Sequence, residues 1–409
     1  MNKEMNMESK SPVLKAAWDK FNASMENARQ AIEATPRFDN PENRAQAYYA
    51  LMEAQAMAYN WVVAPRLNHP RIFSHTAWAT YLFTLGGNCP DIYYSILPLD
   101  GRHTYRVRGR HGDVRLMLMQ VLNRPMGVEG SKCTGNFEFA KSDSGKDEID
   151  IILSPAEPKD NKANWIPLDP DSDLNMIVMR RFLLDWREDP GELEIEMIGE
   201  LDDYNELDES RIARRIEMAA DFSLAMIKSW AIGLWEFMMQ LGGGKVNEWV
   251  EIPGQMMAAI AGSATCNYVF LPFVIKPDEA VIVEMDVPVG SAYWSFQTFD
   301  AWGKSLDYMH NQTDINMGRA VIDNDGKVRA VIGSSDPGVA NWMDAMGRHQ
   351  GICALRNYRS LTFTTPTAKV VKAVDVRKHL PTDTRLVTTE ERRKIVGSRR
   401  PAILDLYRG

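Results

Sequence analysis

One order of residues occurs twice in this chain, and it constrains the fold more than any other feature of the sequence. The first copy contains, in order, Tyr93-Tyr94, Asn164-Trp165 and Arg180-Arg181-Phe182. The second copy contains, in the same order, Tyr293-Trp294, Asn341-Trp342 and Arg356-Asn357-Tyr358. The step from Trp to Arg is 15 residues in the first copy and 14 in the second. This recurrence predicts two related units built from the same strands.

Both copies have the residue pattern of antiparallel sheets. Short runs rich in β-branched and aromatic residues are separated by Gly, Pro, Asn and Asp, which is typical of a sandwich or barrel and not of βαβ units. The runs in the first copy are Tyr93–Leu97, Thr104–Arg108, Val114–Val121, Asn136–Phe139, Ile149–Leu153, Asn175–Phe182 and Leu193–Met197. The sequence therefore predicts an α+β protein with two related antiparallel β-sandwich units of the jelly-roll type.

Helical periodicity precedes and separates the two β units. Apolar residues at intervals of three and four begin near Leu14, and a second helical run covers Pro41–Val63 after the capping pair Asp39-Asn40. A third run, Asp208–Leu241, ends at three consecutive glycines. We expect five segments: an N-terminal helical region (1–86), a first sandwich (87–200), a helical insert (201–264), a second sandwich (265–368) and a basic C-terminal tail (369–409).

Composition and charge exclude several classes of protein. The apolar fraction of 45% is ordinary for a packed globular chain, and the net charge of −8 makes nucleic acid an improbable partner. The sequence shows neither a signal-peptide core nor a nearly uncharged run of ~20 residues, so we expect a cytoplasmic protein with no membrane segment. Four cysteines without a C-x-x-C pair, and histidines without ligand spacing, predict no metal and no cofactor.

The C-terminal tail differs in charge from the rest of the chain. It holds eleven Lys or Arg against five Asp or Glu, whereas the remainder carries a net charge of −14. The segment Thr388-Thr389-Glu390-Glu391-Arg392 has the pattern of a capped helix. We interpret the tail as a basic arm lying across an acidic surface of its own chain or of a partner subunit. The expected assembly is a homo-oligomer formed through this tail.

The strongest candidate for a site is a dense polar stretch between Asp300 and Tyr358. Its Asn, Asp and Arg side chains offer fixed donors and acceptors, and its tryptophans offer flat apolar walls, which suits a partly apolar, oxygen-bearing small molecule. The candidate catalytic residues are Asp336, Asp344 and His349. The candidate substrate-binding residues are Trp294, Asn311, Asn316, Asn341, Trp342 and Arg356. A structural alternative stays open, because Asp336-Pro337-Gly338 is also a good turn and Asn341 could serve only backbone groups.

The same stretch resembles the uncharacterised bacterial proteins of domain of unknown function (DUF) family 1214, most closely over residues 265–360. The residues that carry the resemblance are Tyr293-Trp294-Ser295-Phe296-Gln297, Trp302, Ser305-Leu306-Asp307-Tyr308, Gln312-Thr313, Asn316, Asp336-Pro337-Gly338-Val339, Asn341-Trp342 and Asp344. The family pattern often has Arg and His where this chain has Asn311 and Ser334. The family implies a neighbouring jelly-roll domain, in agreement with the duplicated order, but no settled activity.

Two hypotheses about function follow from these residues. The first is a cytoplasmic enzyme that uses metal-independent acid/base catalysis on a hydroxylated or carbonyl-bearing apolar catabolite, with lyase, hydrolase and isomerase chemistry all open. The second is a non-catalytic jelly-roll protein that binds a carbohydrate or lipid. No phosphate-binding loop, hydrolase elbow or zinc-protease motif occurs in the sequence, so those mechanisms are not expected.

Overall fold

The structure is a computed structural model that describes residues 10–74, 83–159, 163–200, 207–258, 262–263 and 265–407. The α-helices in these ranges are α1 (Pro12–Glu33), α2 (Pro41–Ala58), α3 (Lys141–Ser144), α4 (Glu209–Ala225), α5 (Gly233–Leu241), α6 (Gly254–Ala258) and α7 (Thr389–Leu406). Two π-helical segments cover Tyr59–Val63 and Met226–Ile232, and two 3₁₀ segments cover Pro36–Asp39 and Ala373–His379.

The strands fall into two groups, which precede and follow the central helices α4 and α5 in the chain. The first group is β1 (Ile92–Leu99), β2 (Thr104–Arg110), β3 (Leu116–Leu122), β4 (Cys133–Phe139), β5 (Glu148–Ser154), β6 (Asn164–Pro167), β7 (Asn175–Phe182) and β8 (Glu192–Ile198). The second group is β9 (Val250–Ile252), β10 (Cys266–Val274), β11 (Glu279–Asp286), β12 (Tyr293–Asp300), β13 (Asp314–Asn316), β14 (Lys327–Gly333), β15 (Trp342–Asp344), β16 (Gln350–Tyr358) and β17 (Thr367–Lys372).

Capping residues set the ends of the predicted helices. Asn40 caps α2 through its side chain, and Asp208 caps α4 by accepting from the backbone N–H of Arg211. The helix predicted over Asp208–Leu241 is continuous, because the π-helical segment Met226–Ile232 joins α4 to α5. It ends at Gly242, whose N–H bonds to the carbonyl of Met238.

Each group of strands forms two sheets, and the strand order is the same in both groups. In the first sandwich, sheet A has the order β1-β7-β3-β4 and sheet B the order β6-β5-β2-β8. In the second, sheet C has the order β10-β16-β12-β13, with β9 added at the β10 edge, and sheet D has the order β15-β14-β11-β17. The parallel pair β5–β6 also recurs as β14–β15. The prediction of two related sandwiches is therefore confirmed.

The shared topology corrects one detail of the sequence comparison. Arg180 on β7 and Arg356 on β16 occupy equivalent strands, as predicted. The aromatic pairs do not, because Tyr93-Tyr94 lies on β1 whereas Tyr293-Trp294 lies on β12. The true counterpart of Tyr94 is Tyr268 on β10, since Tyr94 stands opposite Arg180 and Tyr268 stands opposite Arg356.

Three large apolar clusters hold the molecule together. One fills the interior of the first sandwich and another fills the interior of the second. The largest lies between the sandwiches, where the outer faces of sheets A and C pack against each other and against α2, α4 and α5. The central strands of sheets A and C are thus covered on both faces, and β1, β3, β7, β12 and β16 are almost wholly buried.

The basic tail packs against its own chain. The capping box predicted at Thr388 and Glu391 begins α7. Arg392 bonds to Asp336 at 2.9 Å, Arg399 pairs with Asp314, and Ile403 and Leu406 join the core of the first sandwich. Sheet D takes β17 from the beginning of the tail segment. No helix in the part of the chain that the structure describes is long and apolar enough to cross a membrane.

Candidate functional site

A small cavity of about 40 Å³ lies in the largest apolar cluster, between sheets A and C and beneath the central helices. Its polar lining consists of Tyr94 and Arg180 from the first sandwich and Tyr268 and Arg356 from the second. The rest of the lining is apolar or glycine: Met57, Trp61, Gly86, Gly87, Met126, Phe222, Met226, Trp230, Met257, Gly262 and Phe270. A volume of this size holds on the order of three water molecules.

The strand registers explain how both arginines reach one cavity. On sheet A, Tyr94 is the cross-strand neighbour of Arg180, and their neighbours in sequence point into the first sandwich. On sheet C, Tyr268 stands opposite Arg356 in the same way. Because side chains alternate between the faces of a strand, each Tyr–Arg pair projects away from its own sandwich. The two pairs therefore meet in the contact between the sandwiches. We call this place the internal axis, because equivalent residues of the two halves face each other there.

Two glutamines connect each sandwich to the other across this axis. Gln297 accepts from Arg356 Nη1 at 2.9 Å and donates to the carbonyl of Asn88 at 2.7 Å. Gln120 accepts from Arg180 Nη1 at 3.2 Å and donates to the carbonyl of Gly262. Asn88 lies just before β1, and Gly262 lies at the equivalent distance before β10. The equivalent bonds recur in each half of the molecule.

The tyrosine hydroxyls follow the same symmetry. The backbone N–H of Cys89 donates to Tyr94 Oη at 3.0 Å, and that of Ser263 donates to Tyr268 Oη at 3.0 Å. Burial raises the pKa of both phenols, so they remain neutral at physiological pH. A neutral hydroxyl can donate as well as accept, and Tyr268 Oη lies 3.4 Å from Tyr358 Oη.

Arg356 is the most informative residue of the cavity. Its side chain is buried, its Nη2 donates to the carbonyl of Gly87 at 2.5 Å, and its guanidinium lies 5.5 Å from the centre of the Phe299 ring. Within the described residues, no carboxylate oxygen lies within 4.0 Å of this guanidinium. A buried cation held only by neutral acceptors is costly, which makes the cavity a favourable place for an anion.

The wall on the helix side combines close packing with adaptable side chains. Trp61, Met226 and Trp230 all come from the two π-helical segments, a conformation that is frequent at functional sites. Gly87 has a φ of +63°, and a Cβ there would lie 2.6 Å from the Trp230 ring. The methionines of the lining change rotamer at low cost, so this wall can widen around an apolar group.

Of the predicted site residues, the structure places only Arg356 in the cavity. Trp294 belongs to the interior of the second sandwich, where it is almost fully buried. Asn316 connects the two sandwiches: its Nδ2 donates to the carbonyl of Leu184 at 3.0 Å, and its Oδ1 accepts from the backbone of Gly318. Asn311 donates to the carbonyl of Asp307 on an exposed turn.

Four other predicted residues lie near one another beside α7. The Gln312 side chain donates to the carbonyl of Trp342 and accepts from Arg392. The backbone carbonyl of Gln312 accepts from the N–H of Asp344. Asp336 accepts from Arg392, whose guanidinium also lies 5.1 Å from the Trp342 ring. This cluster consists of Asp336, Asn341, Trp342 and Asp344, and Asn341 and Trp342 are buried in it.

Several of these side chains have evident structural partners. Asn341 accepts from the N–H of Val321 and donates to the carbonyls of Val321 and Arg329, as the structural alternative proposed. His349 Nδ1 lies 2.7 Å from a Glu42 carboxylate oxygen, connecting the second sandwich to α2. In the described part of the chain, no group of three or more His, Cys, Asp or Glu side chains is placed to hold a metal ion.

Sequence reasoning missed five of the six polar side chains around the axis. Arg180 was recognised as the counterpart of Arg356 but was not assigned to a site. Tyr94, Gln120, Tyr268 and Gln297 were not singled out as site residues. The available signal was a charged or amide side chain in the middle of a strand that is otherwise apolar, at the same place in both copies.

Comparisons with known proteins agree with the fold and leave the activity open. Residues 126–183 match the model of a family described as a protein of unknown function (DUF1214). The resemblance to this family is thus confirmed, but on the first sandwich and not on residues 265–360. The matched segment contains β4 to β7, whose counterparts β13 to β16 lie within the expected range, because the two sandwiches are built alike.

The structural comparison adds two solved proteins. An uncharacterised protein from Burkholderia cenocepacia is 25% identical, covers 88% of this chain and 98% of its own, and superposes with a TM-score of 0.78. A protein from Vibrio parahaemolyticus is 11% identical, covers 79% of this chain and 100% of its own, and has a TM-score of 0.47. No curated protein matches the sequence. This chain shares the overall fold of the Burkholderia protein.

Proposed function

We propose that this protein binds a small apolar acid in the cavity between its two sandwiches. The observation that carries the proposal is the convergence of Arg180 and Arg356 on one buried cavity with an otherwise apolar lining. A guanidinium binds a carboxylate in a bidentate manner, and Trp, Phe and Met side chains favour an apolar body. The acid group lies on the arginines, and the apolar part lies against the helix wall.

The titratable groups of the cavity favour binding over acid/base catalysis. The described residues that line it include no Asp, Glu, His or Lys, and the pKa values of its tyrosines are raised by burial. A general base needs a pKa near the working pH, and no group in this lining meets that condition. The proposal is therefore closer to the second sequence hypothesis, a non-catalytic binding protein, with an acid as the ligand.

Isothermal titration of the purified chain with benzoate and benzamide tests the proposal. The two probes have nearly the same shape, and only benzoate carries the negative charge. Either ring needs the methionine wall to move, because the cavity of about 40 Å³ is smaller than a benzene ring requires. We expect benzoate to bind at least about tenfold more tightly. Arg356→Gln should remove the preference, whereas Arg359→Gln should keep it, because Arg359 lies outside the lining and pairs with Glu138. Equal affinity for both probes, or no binding of either, contradicts the proposal.

An acid/base enzyme remains a second candidate, and one observation favours it. Burial, together with the nearby charge of Asp336, raises the pKa of Asp344. Two interacting carboxyl groups with one raised pKa are typical of acid/base pairs. The candidate substrate is still a hydroxylated or carbonyl-bearing apolar catabolite. The second candidate is tested by measuring turnover of such compounds by the wild type and by Asp344→Asn. Unchanged turnover in the variant excludes Asp336 and Asp344 as the catalytic pair.

We also propose a cytoplasmic location. Cys89, Cys133, Cys266 and Cys353 are all free thiols, and three of them are buried. Free thiols persist in reducing compartments, whereas secreted chains tend to form disulfides. Fractionation of cells that express the untagged protein tests this location.

A further inference from the structure

We propose that a second site, the groove between the end of α7 and the loop that joins β7 to β8, binds the free carboxyl terminus of a polypeptide. The terminal carboxylate lies on Arg181, and a basic side chain of the peptide lies on Glu194. The groove is open to solvent and has a volume of about 1090 Å³, which is enough for several residues of an extended chain. It is separate from the cavity between the sandwiches, so this inference does not depend on the proposed function.

Arg181 lines this groove with some of its hydrogen-bond donors unused. Its Nη1 donates to the carbonyls of Pro190 and Gly191, at 3.0 Å and 3.2 Å. Its Nη2 donates to the hydroxyl of Ser95 at 3.1 Å. Nε is buried and has no hydrogen-bond acceptor among the described residues. Nε–H and the second N–H of Nη2 are neighbouring donors, and a carboxylate accepts from such a pair with both oxygens once the side chain turns slightly towards the groove.

The charge of Arg181 also lacks a counterion. Burial lowers the pKa of Arg181 to about 10, so the guanidinium is still protonated at neutral pH. In the described part of the chain, no carboxylate oxygen lies within 4.0 Å of it, and the nearby Asp189 already pairs with Arg110. The Tyr93 ring, centred 4.4 Å from the guanidinium carbon, supplies only a weak cation–π contact. A carboxylate from a ligand would supply the missing negative charge.

The rim of the groove carries the opposite charge. Glu192 and Glu194 are exposed at the beginning of β8 and line the groove. Glu192 pairs with Arg110 at 3.2 Å, whereas Glu194 has no cation within 4.0 Å among the residues that the structure describes. Glu194 follows three residues after Gly191, whose carbonyl accepts from Arg181, and three residues of a strand span about 10 Å. This spacing fits a peptide with a basic residue two or three positions before its terminal carboxylate.

The backbone of the groove wall fits an extended chain. β8 is the last strand of sheet B, and no strand within the described ranges pairs with its outer edge. An edge strand presents unpaired N–H and C=O groups, to which a peptide can add as a further strand. Phe73, Trp186 and Leu406 add apolar surface to the groove. We therefore expect the last residue of the peptide to be apolar.

Titration calorimetry of the intact chain with the tripeptide acetyl-Lys-Ala-Leu tests the proposal. One form of the peptide has a free carboxyl terminus, and the other has a terminal amide of nearly the same size. We expect the acid to bind at least about tenfold more tightly than the amide. Glu194→Gln should weaken binding of the acid by about two- to fivefold. Glu196→Gln should not change it, because Glu196 lies on the same strand outside the described lining and pairs with Arg108.

Three outcomes overturn the proposal. Equal affinity for the acid and the amide shows that no carboxylate is bound. N-acetyl-leucine that binds as tightly as the tripeptide shows a site for a small acid and not for a peptide. No binding by the free acids of acetyl-Lys-Ala-Leu, acetyl-Lys-Ala-Ala and acetyl-Lys-Ala-Phe shows that the groove takes no such terminus.

Two arginine variants locate the bound carboxylate. Arg181→Gln should remove the preference for the acid, and Arg181→Lys, which keeps the charge but loses the planar fork, should retain part of it. Because Arg181 is buried and its loss can destabilise the fold, the comparison of acid and amide on the wild type decides the proposal. Arg356→Gln should leave peptide binding unchanged, since Arg356 belongs to the other cavity. Peptide binding and benzoate binding can thus fail independently.

Discussion

At the residue scale, the Trp230 ring lies so close to Gly87 that the cavity wall needs a glycine there. Gly87 and Gly347 both have positive φ values, +63° and +73°, so alanine is strained at either position. A Cβ at Gly87 would also lie 2.6 Å from the Trp230 ring, whereas a Cβ at Gly347 would meet no atom within 4 Å. Comparing alanine at the two positions thus separates the cost of backbone strain from the cost of steric overlap.

We predict that Gly87→Ala lowers the free energy of unfolding by about 1–3 kcal/mol more than Gly347→Ala does. The additional loss arises because the Trp230 ring must move. Urea unfolding of both variants, together with tryptophan fluorescence of the folded state, measures the effect. Equal losses in the two variants, with unchanged fluorescence, would show that the ring does not constrain this position.

A buried ionic network gives a second prediction at the residue scale. Asp91 accepts from Arg319 at 2.5 Å and from the hydroxyl of Tyr293 at 3.1 Å. Burial raises the pKa of Asp91 to about 6, although Arg319 opposes the shift. The pKa of an Asp in the unfolded chain is about 3.9. At a pH between the unfolded and the folded pKa, the folded state therefore binds a proton that the unfolded state does not. This carboxyl group therefore stabilises the protein increasingly as the pH falls from 7 towards 4.

Asp91→Asn should remove that dependence. We expect the stability of the wild type relative to the variant to increase as the pH falls from about 7 to 5, measured by urea unfolding at several pH values. Asp314 provides the contrast. Burial raises its pKa, but Arg399 and Arg319 lower it by more, so the contribution of Asp314 to the stability of the fold is lost as the pH falls. Parallel stability profiles for the wild type and Asp91→Asn would refute the assignment.

At the scale of elements, α7 is integral to the first sandwich. Ile403 is fully buried in its core, whereas Ile395 on the same helix is 38% exposed. We predict that Ile403→Ala costs about 2–5 kcal/mol, as for other buried aliphatic truncations, and that Ile395→Ala costs less than about 1 kcal/mol. Thermal unfolding of both variants checks this. Similar losses would show that α7 is only loosely attached.

The elements also show what sequence alone can predict. The helix over Asp208–Leu241 was predictable because a capping Asp and a terminal Gly bound an unbroken apolar stripe. Its π-helical segment was not, since a widened turn leaves the composition unchanged. The strands of sheet A were predictable from β-branched and aromatic runs, but short β6 and β15 carry too few residues for a clear pattern.

The candidate site was harder to predict than the fold. Arg356 was identified from a dense polar stretch, but most residues of that stretch proved to have structural partners, such as Arg392 for Asp336 and Glu42 for His349. Polar density in sequence does not distinguish a residue on a surface turn from one that lines a buried cavity. The cavity depends on contacts between the two sandwiches, which bring together residues more than 170 positions apart, such as Tyr94 and Tyr268.

At the scale of the whole molecule, the chain is an internal pseudo-dimer whose sandwiches exchange hydrogen bonds across one axis. The basic tail raises the question of a further assembly. Arg392 and Arg399 are used within the chain, whereas Arg393 and Arg400 on α7 are exposed. A homo-oligomer through this tail therefore remains a proposal, and these two exposed cations are its natural contacts with an acidic surface of a second copy.

Charge reversal tests that assembly without removing α7. We predict that the double variant Arg393→Glu, Arg400→Glu has a lower oligomer mass than the wild type, and that raised salt weakens the wild-type oligomer by screening the same contacts. Sedimentation velocity at low and high ionic strength measures both effects. A wild type that is monomeric at low salt, or a variant of unchanged mass, would exclude the tail as an oligomer contact.

Crystals grown with 4-bromobenzoate test most directly whether the cavity between the two sandwiches binds an acid through its arginines. The bromine has an anomalous signal that locates the ligand independently of its shape. We predict one bromine peak against the helix wall near Trp230, with the carboxylate within hydrogen-bond distance of the Arg356 or Arg180 guanidinium. A peak at the cluster of Asp336, Asn341, Trp342 and Asp344, or an empty cavity in crystals with saturating ligand, would contradict this account.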